Sequence, residues 1–217
     1  MKKIHLSVIF FLIGLIVGGT ILFCFNKLNS KGYSLVFNDN YTERNNFKFK
    51  LPKYADITDI GDIFTIKGIY GAEIIIGTFQ TTEDVTFNNV IDLTNKEILK
   101  KNTFDFIYRS VKHVKTNHYN KEEKSTFDLS IGREEDYTRE VKIGRNKVLT
   151  ATGRLLLDWI EPMVPSRVSE QLKANYIIKE KDGKYYVGFV IAIINSSEDG
   201  VAELTTKTLN DITKTFK

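Results

Sequence analysis

The apolar positions of this chain fall into short strand-length stretches, some alternating with polar residues and some continuous, and changes of that pattern mark helices and one long apolar run. Phe47-Lys-Phe-Lys-Leu51 has the pattern of a half-buried strand, which Pro52 ends. The isoleucine-rich stretches Ile63–Ile69 and 72–79, separated by Tyr70-Gly71, predict two consecutive strands joined by a tight turn. Around Phe87, Val90, Ile91, Leu93, Ile98 and Leu99 the spacing becomes helical, predicting a helix over 85–101 with Thr86 or Thr82 as its cap. Residues 103–119 carry both signals, Phe104, Phe106 and Tyr108 alternating while Ile107, Val111 and Val114 recur at helical spacing, and read as helix running into strand. Strands follow at 126–132, 136–144 and 147–159, with Arg145-Asn146 as the turn between the last two. The sharpest local signal is Asp182-Gly183 between 173–181 and Lys184–Ile194, because an Asp-Gly pair suits the two positive φ angles of a type I′ hairpin turn. Ser197 is placed to cap a closing helix whose apolar stripe is Val201, Leu204, Leu209, Ile212 and Phe216.

The long apolar run is Ile4 to Phe25, IHLSVIFFLIGLIVGGTILFCF, which is 22 residues. As a helix at 1.5 Å per residue it matches a hydrocarbon core of roughly 30 Å. A cleaved secretory signal has a shorter apolar region and small residues at its exit, whereas here the exit is Ile21-Leu22-Phe23. Bulky Phe23 before Cys24 also departs from a lipoprotein signal, so the segment reads as an uncleaved anchor. Lys2 and Lys3 keep the amino end in the cytoplasm, although Lys27 and Lys31 on the other flank weaken the asymmetry. Gly14 and Gly18 form a Gly-x-x-x-Gly pair on one helical face, which allows close approach of a second helix. The chain therefore divides into a cytoplasmic tip (1–3), a transmembrane anchor (4–25), a polar juxtamembrane linker (26–46) and an extracytoplasmic domain (47–217).

Charge and cysteine content narrow the function. The net charge of +4 over 217 residues is small. Both signs sit side by side in Lys121-Glu-Glu-Lys124 and Arg133-Glu-Glu-Asp136, which reads as solvated surface and argues against a nucleic-acid partner. The single cysteine, Cys24, lies in the apolar run, so the domain forms no disulfide and depends on its core.

Signs of chemistry are sparse. His113 and His118 are five apart, on different faces of a helix, with no third histidine near. Asp56, Asp59 and Asp62 beside Gly61 lack the spacing of a calcium loop and read as a solvated turn. Nucleophile-elbow and phosphate-loop patterns do not occur in the exported part. Asp158 and Glu161 flank Trp159-Ile160 and are the carboxylates an envelope hydrolase would use. Trp159-Ile-Glu-Pro-Met-Val-Pro-Ser166 offers Trp159, Ile160, Met163 and Val164 on a proline-stiffened segment, either as a contact loop or tucked into the core. No catalytic residue, metal ligand or cofactor is assigned.

A strand pair, a helix, further antiparallel strands, a long hairpin and a closing amphipathic helix predict an α+β fold, an antiparallel sheet covered by helices as an α/β/α sandwich. The order resembles PsbP-like proteins, in which an early aromatic strand ends in proline, as Phe47-Lys-Phe-Lys-Leu-Pro52 does, and a long hairpin precedes a terminal helix ending near Ser-Phe. The counterparts here are Asp182-Gly-Lys-Tyr-Tyr186 and Ile212-Thr-Lys-Thr-Phe216. That resemblance implies a non-catalytic binding or assembly module and carries over no functional residue. The expected function is a membrane-anchored binding or scaffold protein of a bacterial envelope, partnered with the bilayer and with a homodimer or envelope complex. The alternatives are an envelope hydrolase and a lipid or small-ligand carrier with an apolar cavity between sheet and helices.

Overall fold

Phe47 and Phe49 are 1% and 0% exposed while Lys48 between them is exposed, so the alternation read from the sequence is the alternation of a pleated strand. This strand, β2 (Phe47–Phe49), pairs antiparallel with β1 (Thr42–Arg44). Asn45 and Asn46 join them with φ of 43° and 63°, positive at both loop positions as a type I′ turn requires. The structure, a computed structural model, describes residues 35–69, 72–100, 126–131, 138–160, 165–194 and 200–217. Its folded body is Phe37–Lys217. Residues 37–46, expected as linker, therefore belong to the fold, held by a bridge from Phe37 to Pro52 and by Asn38 N–H donating to the Leu51 carbonyl at 2.9 Å.

Eight strands make the main sheet, all neighbours antiparallel. They are β3 (Asp56–Ile60), β4 (Ile63–Ile69), β5 (Ala72–Thr81), β6 (Thr126–Ile131), β7 (Thr138–Ile143), β8 (Asn146–Ile160), β9 (Pro165–Lys181) and β10 (Lys184–Ile194). Their order is β3-β4-β5-β10-β9-β8, and the far side of β8 is shared by β7, opposite 146–151, and β6, opposite 153–158. The β9–β10 hairpin turns at Asp182-Gly183 with φ of 54° and 69°, the predicted type I′ geometry. Between β7 and β8 the turn is Gly144-Arg145, not Arg145-Asn146. Gly144 alone has positive φ (60°), and Asn146 already pairs with Ile143.

Strand register sorts the side chains into two layers. Val187, Phe189, Ile191 and Ile193 of β10 join Leu172, Ala174 and Tyr176 of β9 and Ile75 and Phe79 of β5 in one apolar cluster. The helix α1 (Val90–Lys100) seals that cluster with Val90, Ile91, Leu93 and Ile98. Its first turn is organised from Thr86, as predicted: Thr86 Oγ1 accepts from Asn88 N–H at 3.3 Å, and Asn89 Oδ1 accepts from Thr86 N–H at 2.8 Å.

The opposite face carries α2 (Val201–Thr215) and the β1–β2 hairpin. Here the contact is polar. Lys173 Nζ donates to the Ala202 carbonyl at 3.1 Å and to Thr206 Oγ1 at 2.6 Å. Asn175 Nδ2 donates to Thr213 Oγ1 at 2.9 Å, and Asn146 Nδ2 reaches the Phe216 carbonyl at 3.0 Å. The predicted apolar stripe is accordingly corrected: Thr205, Thr208 and Thr213 are buried alongside Val201, Leu209 and Ile212, Leu204 is only half-buried, and Phe216 follows the helix in extended backbone. The N-cap is Gly200, with φ of 87° and no side-chain cap bond, whereas Ser197 lies outside the described residues. Asp56, Asp59 and Asp62 do not share a turn either, because Asp56–Ile60 is strand β3 paired with β4.

The architecture is thus α+β, a large antiparallel sheet with two helices. Among the described residues no helix is long and apolar enough to cross a membrane, and the predicted span at 4–25 lies outside them.

Candidate binding groove

Strand β4 begins at Ile63 opposite Gly77, and Thr78 N–H makes the last bond to that side, to the Asp62 carbonyl at 3.0 Å. Strand β5 continues to Thr81 with β10 beside it on the other edge. Among the described residues no strand lies against the first edge from Phe79 onward, and the main chain of Gln80 faces outward there, since alternate residues of a strand present their N–H and C=O to the same neighbour. Such an edge is a template for a further strand.

Three elements enclose it. From the β1–β2 turn, Asn45 Nδ2 donates to the Thr78 carbonyl at 3.1 Å and to Thr78 Oγ1 at 3.2 Å, closing the end nearest β4. Helix α1 supplies Leu93, Lys96 and Glu97 as a wall, and Phe79 forms the apolar floor. Two grooves of about 360 and 270 Å³ result, and they adjoin because both are lined by Phe79, Gln80 and Glu97. Glu83 lies in the first, and Asn45, Asp62 and Phe189 in the second. Beyond the far end Tyr185, opposite Thr81, hydrogen-bonds to Asp84, whose negative charge holds the tyrosine hydroxyl above its usual range.

Chemically the groove offers a main-chain edge, an aromatic floor, one ammonium and several carboxylates. No group of three or more histidine, cysteine or acidic side chains stands together as a metal site among the described residues.

The residues singled out in the sequence are placed elsewhere. Trp159 and Ile160 end β8, their backbones paired with Ser166 and Pro165, so these two residues of the expected contact loop belong to a paired strand. Asp158 is likewise a strand residue, paired with Thr126 and Arg167. Met163, Val164, Glu161, Gly14, Gly18, His113 and His118 lie outside the described residues. Where a carrier would need an apolar cavity between sheet and α1, the described residues form a packed cluster.

Sequence reasoning missed the groove because it is built from 45, 62, 78–83 and 93–97, which meet only through strand pairing. The available signal was the length of β5, whose alternation continues through Gln80-Thr81 after β4 has no residue left to oppose it. No family model matches the chain, and no curated protein matches it.

Proposed function

We propose that this chain is a membrane-anchored, extracytoplasmic binding module of a bacterial cell envelope, non-catalytic, which holds an extended segment of a partner protein against the open edge of β5. The observation that carries this reading is the unpaired main chain of Gln80 in a groove walled by α1. Strand addition draws affinity from main-chain hydrogen bonds and specificity from side-chain pockets, and this groove supplies both. The apolar run at 4–25 supports the anchor, and Gly14 and Gly18 support pairing of that helix in a dimer or complex. A sheet lying between α1 and α2 supports a PsbP-like arrangement, which agrees with a binding or assembly role.

The test is crosslinking and recovery of full-length protein from native membranes, compared with Gln80→Pro and Lys96→Glu. Proline removes the Gln80 N–H and obstructs an added strand, and Lys96→Glu reverses the one groove ammonium without touching the sheet. A partner recovered with the unaltered chain and lost with both variants supports groove binding. Recovery that survives both variants but fails with Gly14→Leu, Gly18→Leu moves the contact to the anchor.

A further inference from the structure

On the face opposite α1, the fold gathers cations that are scattered in sequence. Lys217 Nζ lies 4.0 Å and Lys50 Nζ 5.0 Å from the centre of the Tyr41 ring. Lys179 Nζ lies 4.3 Å from the centre of Phe47, whose ring is in turn 5.7 Å from Phe216. Arg145, exposed at the β7–β8 turn, is close enough for its charge to act on both Tyr41 and Lys179. Neighbouring charges of both signs cancel, Lys48 with Glu43 and Lys214 with Asp211. Among the described residues no carboxylate pairs with Lys50, Lys179, Lys217 or Arg145. Burial and then Arg145 hold the Lys179 ammonium below its usual range. One amphipathic ring accompanies this cluster, Tyr41, which is 37% exposed.

Here the chain also enters the fold. Phe37 bridges to Pro52, Tyr41 lies just beyond, and only residues 26–36 separate Phe37 from the end of the apolar run at Phe25. Eleven residues span at most about 40 Å. A patch kept that near a bilayer meets it at an effective concentration on the order of millimolar, so four cations and one interfacial aromatic suffice for docking without high intrinsic affinity.

We propose that the face formed by Lys50, Lys179, Lys217, Arg145 and Tyr41 docks on anionic lipid headgroups of the bilayer that anchors the chain. The cations meet headgroup phosphates, and Tyr41 sits at the depth where such rings concentrate. Docking on this face leaves the α1 face, with its groove, directed away from the lipid.

The proposal rests on the anchored reading, and the experiment separates the two. Full-length protein is reconstituted into nanodiscs of phosphatidylcholine alone or with phosphatidylglycerol, its lysines are acetylated, and labelling is read by mass spectrometry. Expected is a roughly fivefold fall in labelling of Lys50 and Lys217 in the anionic discs, in line with the contribution of one cation near such a surface. The fall should disappear at 0.5 M salt, where screening is nearly complete within a few ångströms (about 0.5 M). Lys96, on α1, should label equally in both. A Lys50→Glu, Lys217→Glu variant, read at Lys179, should show no dependence on lipid charge. Equal labelling in the two discs overturns the proposal, and so does protection that a soluble polyphosphate or nucleic acid reproduces with neutral lipid. Loss of the chain from native membranes on alkaline carbonate extraction defeats the anchored reading itself, and docking with it.

Discussion

Tyr176 is fully buried in the layer between sheet and α1, and its hydroxyl has no hydrogen-bond partner among the described residues. Burial pushes its pKa far above the usual tyrosine value, since a phenolate there would lose its water. An unsatisfied buried hydroxyl costs on the order of 1–3 kcal/mol, so Tyr176→Phe should stabilise the fold by about 1 kcal/mol in urea unfolding at pH 7. The pH dependence has a definite sign. Above about pH 10 the unfolded chain releases this proton while the folded one keeps it, so stability falls as pH rises, by about 1.4 kcal/mol per unit. Tyr176→Phe removes that contribution, and its advantage should widen between pH 10 and 11; parallel curves would show that the hydroxyl has found a partner. Glycine at two strand positions is equally specific. An added Cβ at Gly77 would stand 2.2 Å from Phe189 Cζ, and one at Gly188 would stand 2.8 Å from the Phe216 ring. Overpacking of this kind costs about 1–3 kcal/mol, and Gly77→Ala should be the costlier in thermal unfolding, because Phe189 lies inside the sheet layer while Phe216 sits on the chain's last turn.

At the scale of elements, the signals that were legible are those written in adjacent residues. Asp182-Gly183 announced its hairpin, and the isoleucine runs announced β4 and β5. Asn45-Asn46 makes the same kind of turn but was absorbed into a polar stretch that reads as linker, since β1 is three residues, Thr-Glu-Arg, with no apolar position to set against the alternation of β2. The closing helix was legible only in part. Val201, Leu209, Ile212 and Phe216 of the expected stripe are buried, but the sheet beneath also presents Lys173, Asn175 and Asn146, and threonines are buried beside the apolar residues while Leu204 is only half-buried. The composition of the partner face decides, and no helical periodicity contains that information. Asn146 binds the end of this helix most directly, since its amide reaches carbonyls of both Thr213 and Phe216. Asn146→Ala strands the Phe216 carbonyl in a buried site and should cost about 1–3 kcal/mol in urea unfolding. Asn146→Asp keeps the size but replaces the donor with an acceptor and should cost at least as much. A smaller effect of the aspartate would mean that packing, not the hydrogen bond, holds the helix end.

Across the whole molecule, the two ends of the fold are tied at one place, and both candidate surfaces depend on that tie. Lys217 N–H donates to the Lys48 carbonyl at 2.8 Å, and Lys48 N–H returns a bond to the Lys217 carbonyl at 3.2 Å. Phe216, 0% exposed, stacks on Phe49 with ring centres 4.8 Å apart and meets Phe47 edge-on, while Phe49 contacts Phe64 of the sheet at 5.8 Å. The hairpin is also attached through Asn45, which bonds Thr78, and through Phe49 against Phe64, while the Arg44–Asp59 ion pair spans 3.5 Å between exposed groups, a kind worth under about 1 kcal/mol. Phe216 completes the aromatic cluster on which Phe47 and Phe49 are buried, so the last two residues of the chain are a main part of what holds the β1–β2 hairpin on the sheet. It carries Asn45 into the groove and Lys50 into the basic face, so both sites answer to a residue in neither. Phe216→Ala should cost about 3–5 kcal/mol for a buried aromatic, and the loss should be uneven. Native-state hydrogen exchange should show protection collapsing at Lys48 and Asn38 first, while amides of β9 and β10 keep the global value. With the hairpin released, partner recovery through the groove and lipid-dependent protection of Lys50 should fall together, at temperatures where β9 and β10 remain folded. Protection lost evenly across hairpin and sheet would instead make the hairpin part of one cooperative unit, and the two surfaces would then fail only when the whole domain unfolds.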